Sequence, residues 1–533
     1  MDYVPPASDS FFNKNVKNYE LFCTFVVTTA NIKSMNHYLH KNLWTFLFVL
    51  LIPLVVYAQG NYPIAFSRNA SRTRTDRILN GIVLNGNSFQ VKTPMKMYHD
   101  LTKQTFYAHA GDLVSPSLAY TGRWMDSYIY IDKDNNGAFD VLTPGDQGAL
   151  TEDNELVSFS GLTLPDGAYN SYGEKTDLSW VQPPSFVLPE TMEPGVYMMR
   201  IKIDWDDLNP AGRMDEGNGI IKNGGAILDI HLQILPKGEY HEGCYSLAFN
   251  DEFNGDNGTQ PDETKWRHSN RYSSTWNRYI SNSEDVVFLQ DGHLVCRAIP
   301  NPDQTSDPVP MLTGSVESRG LFSFTYGWIE ARMKTVPHTG NFPAFWMMPQ
   351  PPTDSWPKGG EIDIFEAIDA QNIAYHTLHS HWITTLGNKN NPKYSFNESV
   401  TQGDWHIFAA NWTESLITFY VDGNPVGSYA KSQNASDLEQ GQWPFCHDFY
   451  LILNQSVGDG SWAKAPDTSF TYETQFDWVR VFQMDITTGI GNSQLSTHDS
   501  QLDNWYTLDG RKLQTKPTNS GIYICGNKKY IIR

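Results

Sequence analysis

The sequence predicts an all-β protein made of two β-sandwich modules in tandem, one at 60–236 and a larger one at 244–483. Three observations carry this. Aromatic residues are abundant, with 16 Trp, 27 Tyr and 28 Phe, alongside 40 Gly and 30 Pro that punctuate turns. Short stretches alternating with period two recur between those turns, as half-buried strands require, while long 3.6-period helical stretches are scarce. A chain of 533 residues also exceeds one ordinary core, so two folded domains plus extras are expected.

The first element is not a domain. Between Met35 and Gln59, His37, His40 and Lys41 form a weakly basic start, and the apolar run LWTFLFVLLIPLVVY covers 43–57. That run, broken by Pro53, is shorter than the roughly 20 residues of a membrane span, and with Val56-Tyr57-Ala58 behind it reads as a signal peptide over 35–58. A buried core helix fits less well, because nothing polar alternates within it. Residues 1–34 are then expected to be a mis-called extension ahead of a true start at Met35, and the mature chain to begin near Gln59. Of the cysteines beyond that point, Cys244, Cys296, Cys446 and Cys525, none forms a C-x-x-C pair, so zinc has little support. Disulfide pairing after export and free buried thiols both stay open.

In the first module, SYIYI (127–131) and GVYMMRIKI (195–203) read as strands. IDKDNNGAFD sets Asp132, Asp134 and Asn136 at calcium-loop spacing with Gly137 at the turn, but Thr143 stands where a helical calcium hand wants Glu. A structural calcium ion and a tight Asx-turn cluster are the two readings of that loop. KGEYHEG (237–243) reads as a linker.

The second module holds 11 of the 16 tryptophans. In FSFTYGWIEARMK one face carries Phe324, Tyr326, Trp328, Glu330 and Arg332, the other Gly327, Ile329, Ala331 and Met333. The aliphatic face is expected in a core and the aromatic, charged face in a ligand cleft. TFYVDGNPVGSY reads as a hairpin turning at Asp422-Gly423.

GGEIDIFEAID (359–369) sets three carboxylates beside alternating isoleucines. Glu361 and Asp363 share a strand face. Glu366, five residues on, joins them only if a one-residue bulge near Phe365 re-aims it. Such a row repels itself, which is costly for structure alone. A calcium site or a solvated edge strand would be the alternative use. A nucleophilic carboxylate facing a protonated acid is the equipment of retaining glycosidases, and a third carboxylate helps keep the acid protonated.

The segment Glu-x-Asp-x-x-Glu resembles glycoside hydrolase family 16, in its bulge-containing laminarinase-like branch. Further blocks follow in the family's order: FNDEFNG (249–255), TGSVESRGLFSFTYGWIEARMK (313–334), FPAFWMMP (342–349), HTLHSHW (376–382), LILNQSVGDGSW (451–462) and FDWVRVF (476–482). The resemblance implies a jelly-roll β-sandwich catalytic domain with an open cleft. In it Glu361 is the nucleophile, Asp363 its assistant and Glu366 the acid/base, with His379 beside the acid. It also implies Trp346, Trp382 and Trp462 as sugar platforms, and Asn454 and Glu330 as hydroxyl contacts. One departure is plain. Where laminarinases carry Asn-x-Glu-x-Gln-x-Tyr, this chain has STWNRYISNSEDVVF, with Trp276, Asn277 and Arg278. That region looks more like members cleaving β-galactosyl linkages in poly-lactosamine or mucin-type glycans.

The function expected is therefore a secreted, retaining endo-β-glycosidase, acting on β-1,3- or mixed-linkage glucan, with an endo-β-galactosidase as the alternative. A non-catalytic glycan-binding protein is the alternative of another class, disfavoured by the complete carboxylate row. A net charge of −20 excludes nucleic acid as a partner and favours a neutral polysaccharide. No cofactor is required by such chemistry, and a monomer is expected. The first module resembles GEVED-type β-sandwich accessory modules. Residues 484–533 read as a linker and a strand-like tail, similar to C-terminal sorting domains of Bacteroidetes secretion, with the export machinery as partner and the outside or surface of a Gram-negative cell as the address.

Overall fold

The computed structural model describes residues 62–65, most of 76–484 and strand backbones between 505 and 532. The expected extension and signal peptide lie outside the described residues.

The first module pairs a three-stranded sheet (Asn87–Gln90, Ile78–Leu84, Pro116–Thr121) with a six-stranded one. The second runs Tyr98–Ala108, Ala226–Ile234, Gly195–Asp204, Asp126–Ile131, Leu156–Leu164, Gly167–Asn170. Both stretches read as strands from their alternation are strands, and they pair with each other, Ile201 opposite Ile129. Their inward residues, with Leu79, Ile82, Leu118, Leu228 and Ile230, form one apolar core.

In the second module seven strands position the site: β1 (Gly327–Thr335), β2 (Asn341–Pro349), β3 (Glu361–Glu366), β4 (Ile373–His379), β5 (His406–Trp412), β6 (Phe449–Val457) and β7 (Tyr472–Met484). One layer runs Ser395–Ser399, β4, β3, β2, β6, Met311–Glu317. The other runs His293–Pro300, β7, β1, β5, Leu416–Val421, Asn424–Ala430. A short pairing, Ala298 with Thr313, joins the layers. Between them Phe345, Met347, Ile362, Ile364, Phe365, Leu451 and Leu453 meet Ile329, Ala331, Met333, Phe408, Phe476, Val479 and Val481. This is the jelly-roll β-sandwich. Truncating a buried Ile or Leu in such a packed core costs about 2–5 kcal/mol.

The hairpin turns where expected, with Asp422 at φ 48° and Gly423 at φ 76°, the positive angles of a type I′ turn. A Cβ on Gly423 would come within 2.6 Å of the Ser117 carbonyl, so the turn abuts the first module.

The expectation for β1 needs a correction. Its aliphatic face is in the core, but on the opposite face Trp328 and Glu330 are covered by the first module, while Arg332 lies along a cleft between the modules. Trp328 packs with Val83 and Tyr245. Glu330, expected to contact sugar, is buried, accepting from Ser115 Oγ at 2.5 Å and Trp328 Nε1 at 2.8 Å. Period two identifies two faces of a strand but not what covers each, and here the first module covers the polar one.

Among the described residues Cys296 and Cys446 are free thiols, and Cys244 Sγ donates to the Tyr107 carbonyl. The tail forms a small antiparallel sheet of Lys512–Leu513, Trp505–Thr507, Gly521–Cys525 and Lys528–Ile532.

Candidate active site

The carboxylate row is built by register. On β4, Glu361 faces His379, Asp363 faces Thr377 and Glu366 faces Tyr375. Partners step evenly by two while β3 steps by two and then three. The extra residue sits at Ile364-Phe365, because β2 pairs Phe345 with Phe365 and Trp346 with Asp363, passing over Ile364. Both bulge side chains enter the core, and this returns Glu366 to the face of Glu361 and Asp363. The Ile364 carbonyl accepts a 2.6 Å hydrogen bond from buried His376 Nδ1, and burial pushes that imidazole's pKa down to about 4, so it is a neutral donor. His376 is thus a positioning residue that the sequence analysis did not single out.

Glu361 Oε2 accepts a 2.6 Å hydrogen bond from Trp356 Nε1. His379 Nε2 lies 3.4 Å from Asp363 Oδ2 and 3.8 Å from Glu361 Oε1. The histidine expected beside Glu366 pairs in register with Glu361 and also acts electrostatically on Glu366. Asp363 is buried, and its pKa is raised well above the carboxylate range by desolvation, then by the Glu361 charge and the hydrogen bond to Glu361. It acts as a proton-holding donor to Glu361. Glu366 is also raised well above the usual range, first by desolvation, then by the charges of Asp363 and Glu361, with His379 pulling the other way. One carboxylate receiving donors and one acid kept protonated occupy a single strand face.

Trp346, 5% exposed, forms the floor, held by its Nε1 donating to Asn454 Oδ1 at 2.7 Å and by the edge of Trp276 at 4.8 Å. Asn454 also donates to Ser456 Oγ, so it fixes Trp346 rather than offering itself to a sugar. Exposed tryptophans stand at both ends of the row. Trp356, 53% exposed, is beside Glu361, and Trp462, 46% exposed, packs edge-on to Tyr375, the partner of Glu366. Trp356 was not foreseen, although an indole between prolines five residues before Glu361 was the available signal.

Several expected contacts are elsewhere. Trp382 lies in the core, donating to the Asn391 carbonyl at 3.2 Å. Asn277 is buried and closes its own turn by accepting from Ser274 N. Arg278 donates to the Gly458 carbonyl and lies over Tyr279, which locks the 275–278 segment against the end of β6. In the first module Asp132 and Asp134 gather with Glu155, which sequence spacing did not reveal. Their oxygens already accept protein donors: Asp132 from Asn136 N, Gly137 N and Tyr62 Oη, and Glu155 from Lys133 N and Asp140 N. These are the hydrogen bonds of an Asx-turn cluster.

A polysaccharide-shaped arrangement of this kind, two carboxyl groups on a bulged strand of a jelly roll with indoles at either end, defines the glycosidase class of site. Residues 246–484 match the model of the β-porphyranase A–D glycoside hydrolase family 16 domain, which places this module in family 16. It is 35% identical over 242 residues to a keratan-sulfate endo-1,4-β-galactosidase of Sphingobacterium multivorum, covering 45% of this chain and 56% of that protein. It is 29% identical over 262 residues to glucan endo-1,3-β-glucosidase A1 of Niallia circulans, covering 45% and 38%. The chain thus spans about half or less of the length of these two relatives. The solved laminarinase of Rhodothermus marinus is 25% identical, with a TM-score of 0.40, over 45% of this chain and 98% of that one.

Proposed function

We propose that this protein is a secreted, monomeric, retaining endo-β-glycosidase whose preferred substrate is a neutral stretch of a β-galactosyl-linked glycan rather than β-1,3-glucan. The observation that carries the catalytic part is the bulge register that brings Glu361, Asp363 and Glu366 to one face. Glu361 attacks the anomeric carbon while Glu366 gives its proton to the departing glycosidic oxygen, and the bond between them breaks. Glu366, now a carboxylate, takes a proton from water, whose oxygen displaces Glu361 and releases the sugar with its configuration retained. Asp363 steadies Glu361 by its donated hydrogen bond, and the chemistry needs no metal.

Two features support the galactan preference. Among the two relatives above, the endo-β-galactosidase has the higher identity. The glucanase stretch is also replaced by a Trp276–Arg278 segment that walls the floor with an indole edge. The chain's net charge of −20 disfavours a strongly anionic polymer. Purified protein offered laminarin, mixed-linkage glucan, agarose and poly-lactosamine should cut a galactose-containing chain internally, with early NMR spectra showing the retained anomer. An inverted first product would overturn the mechanism, and a preference for laminarin would overturn the substrate class.

A further inference from the structure

The opposite side of the sandwich carries a second cleft. It lies between the 172–185 segment of the first module and the outward faces of β1 and β7, with a volume of about 520 Å³, within the roughly 300–1,000 Å³ usual for ligand sites. Arg332 and Lys334 alternate with core residues Ala331 and Met333 on β1, so this cleft and the carboxylate row sit on opposite faces of the two-layer fold.

Its lining is neither an apolar groove nor a patch of one charge. Tyr172 is 58% exposed. Trp180 is half-buried, lines the cleft and is stacked on Tyr120 at 4.6 Å and 10°, which fixes the plane of its ring. The Trp180 indole N–H has no hydrogen-bond partner among the described residues. Lys334 is half-buried, with its ammonium 4.6 Å over the Trp405 ring and no carboxylate in ion-pair range, and Asp404 beside it makes no side-chain hydrogen bond among the described residues. Buried polar groups normally find partners. Here an indole donor and a carboxylate are left without protein partners among the described residues, and a cation without a carboxylate, around Tyr172, Trp180 and Trp405.

We infer that this cleft is a second saccharide-binding site, formed jointly by the two modules, that takes two or three units of a neutral polysaccharide. A pyranose offers an apolar face to a flat ring and hydroxyls that both donate and accept around it, which is what the leftover groups require. The lining mixes Lys175 and Lys334 with Glu174, Asp291 and Asp404, which favours no polyanion, and an apolar helix would strand Lys334. The ligand class rests on the glycosidase reading. Holding the same chain at a second point raises its local concentration at the carboxylate row without entering the chemistry.

The test is affinity electrophoresis of the full chain in gels containing laminarin, agarose or poly-lactosamine, together with kcat/KM on a short soluble oligosaccharide of the polymer that is cut. Trp180→Ala combined with Lys334→Met should weaken retention by the polymer about 10-fold and leave kcat/KM on the oligosaccharide unchanged. Equal retention overturns the site, as does an equal loss on both substrates. If the double variant fails to fold, Lys334→Met alone must still lower retention, and no change overturns the inference. A wild type that is retained but cuts nothing defeats the catalytic reading and leaves the second site standing. One that cuts polymer without being retained does the reverse.

Discussion

Glu330 on β1 and Glu366 on β3 are both glutamates held among protein atoms on the outward face of a sandwich layer, and their surroundings are opposite. Glu330 accepts from Ser115 and Trp328, and Arg480 lies across from it, so the charge and donors oppose the rise that burial causes. Arg480 in turn donates to Ser115 Oγ and Ser185 Oγ at 2.8 Å and pairs with Glu252, which ties both modules into one polar network. Glu366 has no donor among the described residues, and its neighbours Asp363 and Glu361 push in the same direction as burial. A buried carboxyl with complementary partners is a joint. One surrounded by its own kind is held protonated, and it costs stability that only a chemical task explains.

The largest effect should come from Glu361. Glu361→Ala is expected to lower kcat roughly 10⁴-fold or more without unfolding the protein, and azide should restore turnover with a product of inverted configuration. Undiminished activity would remove Glu361 from the row's chemistry and erase the contrast with Glu330. Glu330→Ala should instead act on stability, by about 3–5 kcal/mol, because it strips a partner from a buried charge network. Chemical denaturation reads this, and a loss under 1 kcal/mol would show that the joint carries no load.

Glu366→Gln should stabilise. The folded carboxyl titrates above its unfolded value, so below the ordinary glutamate pKa both states are protonated and the two proteins melt alike. As pH rises past it the unfolded wild type ionises while the fold resists, and wild type loses stability that the glutamine variant keeps. Melting temperatures should therefore coincide near pH 4 and separate toward pH 8 in favour of the variant. The reverse order would mean that Glu366 is stabilised as a carboxylate. The smallest effect is expected from Asp363→Asn. It removes a carboxyl whose ionisation at higher pH adds to the negative charge beside Glu366, so the basic limb of the kcat/KM profile should move to lower pH. An unmoved limb would assign it to another group.

Much of this was legible in the sequence, for a definite reason. Ile362 and Ile364 alternate with acids, so the apolar side of β3 and the acidic side follow from period two alone, and the misfit of Glu366 calls for the bulge that the register shows at Ile364-Phe365. The turn at Asp422-Gly423 is equally local, because its positive φ angles select those residues. Less legible were positions whose meaning depends on what approaches from elsewhere. Trp382 and Trp462 each end a block of the family pattern, HTLHSHW and LILNQSVGDGSW, yet one is core and the other 46% exposed. His376 and His379 are three residues apart on one strand, and only their opposite faces separate a bulge-holding donor from a neighbour of Asp363.

The sequence by itself determined which strand carries the carboxyl groups, where it bulges and which side chains fill the core, because backbone periodicity and turn chemistry act over a few residues. Only the tertiary structure decided that the polar face of β1 meets the first module, that Trp356 reaches Glu361, and that Lys334 seats its ammonium over Trp405. Those outcomes depend on which surface covers a strand face, and the covering residues lie tens to hundreds of positions away in the chain, where no local pattern records them.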